Sequence, residues 1–417
     1  MKQMIIEGNN ILTGEILIGG AKNSAVALIP ATILADGKSL IENVPNISDR
    51  DALIDILKIL NCDVKLNKDK IEIDTTNLKN SLIDEEHSKK LRASYYFMGA
   101  LLGKEKYIEM YIPGGCNIGA RPIDIHIDGF KALGAEVKIE GNKYILKADK
   151  LIGTDIYLRF QSVGATVNLM FASVLAEGKT VIHNAAKEAE IENIADFLIS
   201  MGAKIEGAGT DEITITGVKK LHGGHIKVLP DRIEAGTYII LGALVGKNLC
   251  IKNIIPKHLE ALTSKLIDMG SDITINEDNI VINKVTNLKP TNIKTLVYPG
   301  FPTDIGQPMA VLLTQANGTS LFEETIWENR MGHVPSLNKM GANITVKGMT
   351  SMTIGPSKLH GCEVVATDLR GGAALVLAGL TATGTTIVND VEHILRGYED
   401  IDKKLTNVGA KITIKEI

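Results

Sequence analysis

The 417-residue chain carries a formal net charge of −4, with 45% hydrophobic and 23% charged residues, enough apolar material for two or three ordinary cores. Acidic and basic residues are interspersed, which excludes a nucleic-acid partner, since that needs clustered positive charge and exposed aromatics. The longest apolar runs, such as AALVLAGL at 373–380, cannot span a bilayer, and the opening MKQMIIEGNN lacks the apolar core of a signal peptide, so no membrane partner and a cytoplasmic location are expected.

In chain order, two strand-like segments (MIIEGNNILTGEILIGG) precede a pattern that is written six times. One phrase is an apolar run of helical length: SAVALIPATILAD, ASYYFMGALLG, ATVNLMFASVLAEG, AGTYIILGALVG, QPMAVLLTQANG and GGAALVLAGLTATG. Helices that are hydrophobic all round are buried. The second phrase is an amphipathic helix end, then Gly-Ala or a near equivalent, then two short strands: ILKILNCDVKL, GFKALGAEVKI, FLISMGAKIEG, KLIDMGSDITI, LNKMGANITV and KKLTNVGAKITI. The copies recur at about 70 residues, a period that identifies a repeat architecture. Asn61-Cys62 fills the Gly-Ala slot in the first copy, which gives that cysteine a structural reading.

Six such units predict an α/β fold of two domains, each of three repeats with helices inside and sheets outside, and a cleft between the two bodies. The first domain is expected at 22–229. The second is expected at 230–417 together with 1–21, because the opening strands share the phase of the strand before the fourth buried helix.

The residues at the heads of the six buried helices are Lys22, Arg92, Ser162, Arg232, Asp304 and Arg370. A helix N-terminus already favours anions by about 0.3 to 2 kcal/mol, so four cations there oppose folding unless an anion sits among them. Solvated charge explains any one of them; their shared phase points to an anionic substrate. Gly19, Gly20, Gly164, Gly371 and Gly372 allow a ligand close to the backbone.

The motif content excludes several alternatives. GGAKNS is not a Walker A loop and no GxGxxG follows a strand, so neither nucleotide hydrolysis nor dinucleotide binding is indicated. Four cysteines without a CxxC pair indicate no disulfide framework or zinc site, and HGGH at 222–225 stands without a second ligand cluster, so no metal and no cofactor are expected. Cys250 and Cys362 lie in strand-like segments as small hydrophobes. Cys116 differs: in PGGCNIGARP it stands among three glycines with Arg121 nearby to lower its pKa, on a segment with the composition of a lid.

PGGCNIGARP, with GGAKNSA, SVGATVNLM, LPDRIEAGTY, FPTD, ENR, ATDLRGGA and RGYE, resembles the UDP-N-acetylglucosamine 1-carboxyvinyltransferases among the enolpyruvyl transferases, from Lys22 to beyond Arg396. The cysteine loop separates that group from the 3-phosphoshikimate enzymes, which share its fold. The resemblance implies two inside-out α/β barrels with the active site between them. It also implies enolpyruvyl transfer from phosphoenolpyruvate to the 3-hydroxyl of UDP-N-acetylglucosamine, by addition and elimination. It assigns Lys22 and Asn23, with Arg121, Arg370 and Arg396, to phosphoenolpyruvate. It assigns Arg92, Arg121, Pro122, Ile123, Asp124, Ile125, Ser162, Val163, Gly164, Asp304 and Ile326 to the nucleotide sugar. Asp304 is implied as acceptor of the hydroxyl proton. Cys116 is implied as proton donor to the methylene carbon and as the residue alkylated by fosfomycin. Lys22 and Arg396 complete the catalytic set. Phe160, where some members carry lysine, and Gly332 depart from the pattern of well-known members. A different acceptor, 3-phosphoshikimate, or a non-catalytic descendant that only binds ligand, are the other readings.

Overall fold

The computed structural model describes residues 2–114, 119 and 122–416. They form two compact bodies, one of residues 20–114 and 122–229 and the other of residues 2–19 and 230–416. Each is built from three copies of one plan.

The helices Lys22–Ala31, Tyr96–Glu105 and Val163–Ser173 lie in the core of the first body, and Arg232–Val245, Gly306–Leu313 and Leu369–Thr381 in that of the second. Every residue of Arg232–Val245 is buried, as the all-round hydrophobic pattern requires. Two heads differ from the simple expectation: Arg92 and Asp304 lie in single 3-10 turns, Arg92–Tyr95 and Thr303–Ile305, that lead into the helices. Such turns tighten a helix terminus where the chain enters at an angle.

The amphipathic helices are Ser48–Ile59, Asp124–Ala132 and Ala189–Ser200 in the first body, and Glu260–Asp268, Val334–Lys339 and Ile401–Asn407 in the second. Each ends at the slot that recurs in the sequence. Gly134, Gly202, Gly270, Gly341 and Gly409 have φ between 84° and 102° there, and Asn61 has φ of 59°. A left-handed residue closes a helix through its last carbonyls, and glycine or asparagine takes that conformation at least cost. The next residue turns inward; Cys62 does so, and burial pushes its thiol up to about 12.

The hairpin that follows joins a sheet whose layout recurs. In one example, Lys204–Glu206 pairs with Glu212–Thr216, which pairs antiparallel with Lys179–His183, which in turn pairs parallel with Asp155–Tyr157. Burial alternates along these strands, one face inward. Where the post-helix strand ends, three copies use the same stitch. Asn43, Asn184 and Asn253, with φ of 57°, 54° and 57°, donate their side-chain amides to the carbonyls of Val228, Leu158 and Ile18 at 2.8, 2.7 and 2.7 Å. Asparagine is the side chain that tolerates this backbone and reaches a neighbouring carbonyl.

The opening strands complete two different copies. Leu12–Leu17 runs parallel to Gly246–Lys252 in the fourth, while Lys2–Glu7 lies between Thr385–Asn389 and Lys411–Glu416 in the sixth. Conversely His225–Lys227 runs parallel to Lys38–Glu42 in the first. The same exchange brings Gly19 to the head of the fourth buried helix, where Glu234 accepts hydrogen bonds from the Gly19 N–H at 3.2 Å and from Lys404 Nζ at 2.6 Å.

Burial pushes the Glu234 carboxyl from its ordinary 4.5 up to about 7, against the pull of Lys404 and with a further push from Asp231. A carboxyl raised on folding stabilises at low pH, and that contribution disappears as pH rises from about 4.5 through about 7. Thermal melting should therefore show lower stability at about pH 8 than at about pH 5, and Glu234→Gln should flatten that slope. An unchanged slope in the variant counts against it.

Candidate active site

In the first body, three helix starts meet around a buried histidine. The Arg92 guanidinium lies 6.0 Å from the centre of the Tyr95 ring, which packs edge-on against His126 at 5.0 Å. His126 Nδ1 is 2.9 Å from Asn168 Nδ2, and the Asn168 Oδ1 accepts the Gly99 N–H at 2.8 Å, so one side chain ties two core helices together. Burial pushes the His126 imidazole down to about 3, with Arg92 adding to that and Asp124 opposing it, so it is neutral. Gly164 is required here: a Cβ would stand 2.7 Å from the Tyr95 hydroxyl and 3.0 Å from the His126 ring. Ser162 caps its helix by accepting the Ala165 N–H at 3.2 Å.

Asp124 opens its own helix, after Pro122 on the surface and Ile123 turned inward. Its carboxylate pairs with Arg159, which also reaches Asp128 at 3.1 Å. Arg159 thus links the segment of Asp124 and Ile125 to the one that carries Ser162, Val163 and Gly164, beside the half-exposed Phe160. Lys22 opens its helix and pairs with buried Asp49 at 2.7 Å, with Asn23 half-buried beside it. Cys116 and Arg121 lie outside the described residues.

In the second body, the centre is Asp304. It is paired with Arg330 and, at 3.3 Å, with Arg370. Burial pushes its carboxyl up, but Arg330 and Arg370, with Arg232 beyond, outweigh this and hold it well below the usual carboxylate range. Arg232 lies 5.2 Å from the centre of the Tyr298 ring, and Arg370 5.3 Å from that of Tyr398. Arg370 is only 2% exposed, interacts with the Tyr398 hydroxyl, and has in Nε and Nη1 two buried nitrogens whose N–H donors are not all used. Orphaned charged donors cost a few kcal/mol and need an acceptor; a planar anion is what this guanidinium is prepared for.

Asp368 fixes the start of that helix by accepting the N–H groups of Arg370 and Gly371 at 3.0 and 2.9 Å. Ile326 is held through its N–H on buried Glu324, 2.8 Å away, whose carboxylate also accepts the hydroxyls of Thr295 and Thr303. Arg396 caps the short helix Glu392–Leu395 and is half-buried. Among the described residues no group of acidic, histidine and cysteine side chains has the arrangement of a metal site, and no helix is long and apolar enough to cross a membrane.

Arg330 is absent from the helix-head series because it lies on a turn, 26 residues after Asp304. Only the ENR phrase marks it. Asp49, His126, Arg159 and Glu324 likewise carry no local signal; each acts by packing or pairing behind a marked residue.

A family model described as EPSP synthase (3-phosphoshikimate 1-carboxyvinyltransferase) matches residues 6–405. UDP-N-acetylglucosamine 1-carboxyvinyltransferase 2 of Clostridium acetobutylicum is 52% identical over the whole of both chains. The chain belongs to the UDP-N-acetylglucosamine 1-carboxyvinyltransferases, within the enolpyruvyl transferases. Family members from Clostridium botulinum, 53% identical over 99% of each chain, and Bacillus subtilis, 52% identical over 99% of this chain and 96% of the relative, agree. Two solved structures share the family's mixed α/β fold. The enolpyruvyl transferase NikO from Streptomyces tendae has a TM-score of 0.90 at 24% identity over 99% of each chain. The EPSP synthase from Acinetobacter baumannii has a TM-score of 0.76 at 18% identity over the whole of both.

Proposed function

We propose that the chain transfers the enolpyruvyl group of phosphoenolpyruvate to the 3-hydroxyl of UDP-N-acetylglucosamine, releasing phosphate, in the first committed step of bacterial peptidoglycan synthesis. The observation that carries the reading is the ionised Asp304 gripped by two buried arginines, one of which keeps buried N–H donors to spare.

The sugar hydroxyl oxygen bonds to C2 of phosphoenolpyruvate while its proton passes to Asp304. Cys116 supplies a proton to C3. In the tetrahedral ketal so formed, loss of a C3 proton and cleavage of the C2–O bond to phosphate restore the enol ether. Phosphoenolpyruvate carries close to three negative charges, and Lys22, Asn23, Arg121, Arg370 and Arg396 are assigned to it. The nucleotide sugar is assigned to Arg92, Arg121 to Ile125, Ser162 to Gly164, Asp304 and Ile326. Cations and helix starts together lower the energy of charge that builds up during transfer. The accompanying fold reading is two inside-out barrels, residues 22–229 against 230–417 with 1–21, with the reaction in the cleft and the 113–122 segment as its lid. Both substrates are small and soluble, which fits a cytoplasmic enzyme without metal or cofactor.

The deciding experiment is phosphate release from phosphoenolpyruvate with each acceptor in turn. Release with UDP-N-acetylglucosamine and none with 3-phosphoshikimate is expected; the reverse pattern, or no release with either, overturns the reading. Cys116→Asp should keep turnover, since a carboxylic acid can also give a proton to carbon, and should abolish inhibition by fosfomycin. Full sensitivity in that variant removes the cysteine from its assigned role.

A further inference from the structure

Arg330 is held in a way the proposed mechanism does not use. Beside it lies a cavity of about 10 Å³ whose polar lining comes from Gln307, Glu324, Arg330, His333 and Ser351. Gln307, Arg330 and His333 are 2%, 6% and 4% exposed. Gln307 Oε1 and Arg330 Nε are buried without a hydrogen-bond partner, and the buried His333 ring beside them interacts with the Arg330 backbone. Two orphaned polar atoms on nine-tenths-buried side chains that line one small space call for a partner, since such groups are almost always satisfied. The space is of the size that admits one water molecule, and a water needs two to four polar partners. Here Arg330 Nε donates, Gln307 Oε1 accepts, and a neutral imidazole does either.

The same two side chains flank the Arg330 backbone and the neighbouring helix start. Gln307, on the helix that follows Asp304, donates its Nε2–H to the Arg330 carbonyl at 3.4 Å. His333 packs against the start of the Arg370 helix, where a Cβ on Gly371 would stand 3.4 Å from the His333 Cβ. Burial pushes the imidazole down to about 4, with Asp368 and a hydrogen bond to the Arg330 backbone opposing and the Arg330 charge adding to the fall, so the ring is neutral at working pH.

We infer that His333 and Gln307 are positioning residues for the proposed reaction: through the water-sized polar cavity they share, they aim the Arg330 guanidinium at Asp304 in register with Arg370. This rests on Asp304 as the proton acceptor. Arg330, Arg370 and Arg232 are the charged groups acting on that carboxylate. If Arg330 loses its aim, the carboxylate loses part of its counter-charge and titrates at higher pH.

The test uses the full chain and the variants His333→Phe, Gln307→Leu and His333→Asn. Two readouts are taken: phosphate release across pH, and a carbon-13 NMR titration of the Asp304 carboxyl, assigned by its loss in Asp304→Asn. His333→Phe and Gln307→Leu should lower kcat by about tenfold or more, as small misplacements near a reacting centre do. Both should raise the pH of the acid limb and of the Asp304 titration together, and His333→Asn, which keeps a donor and an acceptor, should restore most of the loss. An Asp304 titration unmoved in both Gln307→Leu and a folded His333 variant overturns the inference, whatever kcat does. The NMR readout needs no turnover, so it decides the inference even if the functional reading fails. That reading fails separately, if Asp304→Asn keeps full activity.

Discussion

Asp304→Asn is expected to cut turnover by about 10²-fold or more, the range for loss of a general base, and at the same time to bind phosphoenolpyruvate more tightly than the unmodified chain. The second half follows from the geometry. The Asp304 carboxylate occupies a guanidinium nitrogen of Arg330 and one of Arg370, the groups an anionic substrate needs. An amide in its place neutralises nothing and frees both cations. The carboxylate, held well below its usual range, is also a weak base at rest. A substrate carboxylate or phosphate that pairs with Arg370 offsets that cation and raises the basicity of Asp304 when the hydroxyl must lose its proton. Calorimetry with phosphoenolpyruvate on the variant and on the unmodified chain checks this. Weaker binding in the variant contradicts competition for the arginines, and undiminished turnover contradicts the base.

Arg370→Lys should lower kcat/KM for phosphoenolpyruvate by about 10²-fold or more, with the KM for UDP-N-acetylglucosamine within a few-fold of its starting value. Hydrogen bonds to charged groups contribute about 1.5 to 3 kcal/mol each, and the buried N–H donors of Arg370 on Nε and Nη1 that remain unused are the ones a substrate would take. A lysine keeps the charge but presents a single point where the guanidinium presents a planar fork. Steady-state kinetics with each substrate varied in turn give the answer. An equal rise in both KM values, or a fall that merely follows a lower melting temperature, assigns Arg370 to the scaffold instead.

What the sequence made legible were features written locally and repeated. The six apolar runs could be read as buried helices because a helix without a polar face has no other place to lie. The Gly-Ala slots could be read because a left-handed residue leaves a composition signal, even where Asn61 replaces glycine. The cations at helix heads were visible because the period put them in phase.

Features that depend on distant partners were not legible. Nothing local in ENRMGH says that Arg330 turns to Asp304 or that His333 lies against the Arg370 helix. Nor does the pattern of the opening strands reveal that Lys2–Glu7 and Leu12–Leu17 go to separate sheets. Strand pairing is set by register and packing across the sheet, which a single strand does not encode.

That division of the opening strands shapes how the protein comes into being. Lys2–Glu7 leaves the ribosome long before both of its neighbours, Thr385–Asn389 and Lys411–Glu416. With roughly 400 residues between partners, this pairing belongs to the slowest class of folding contact, and until it forms the strand has two unpaired edges open to wrong partners. The first body can assemble once residue 229 has been made. Its companion is sealed only after Lys411–Glu416 has been made, so in the cell the interval of vulnerability lasts while all the residues between the two strands are synthesised.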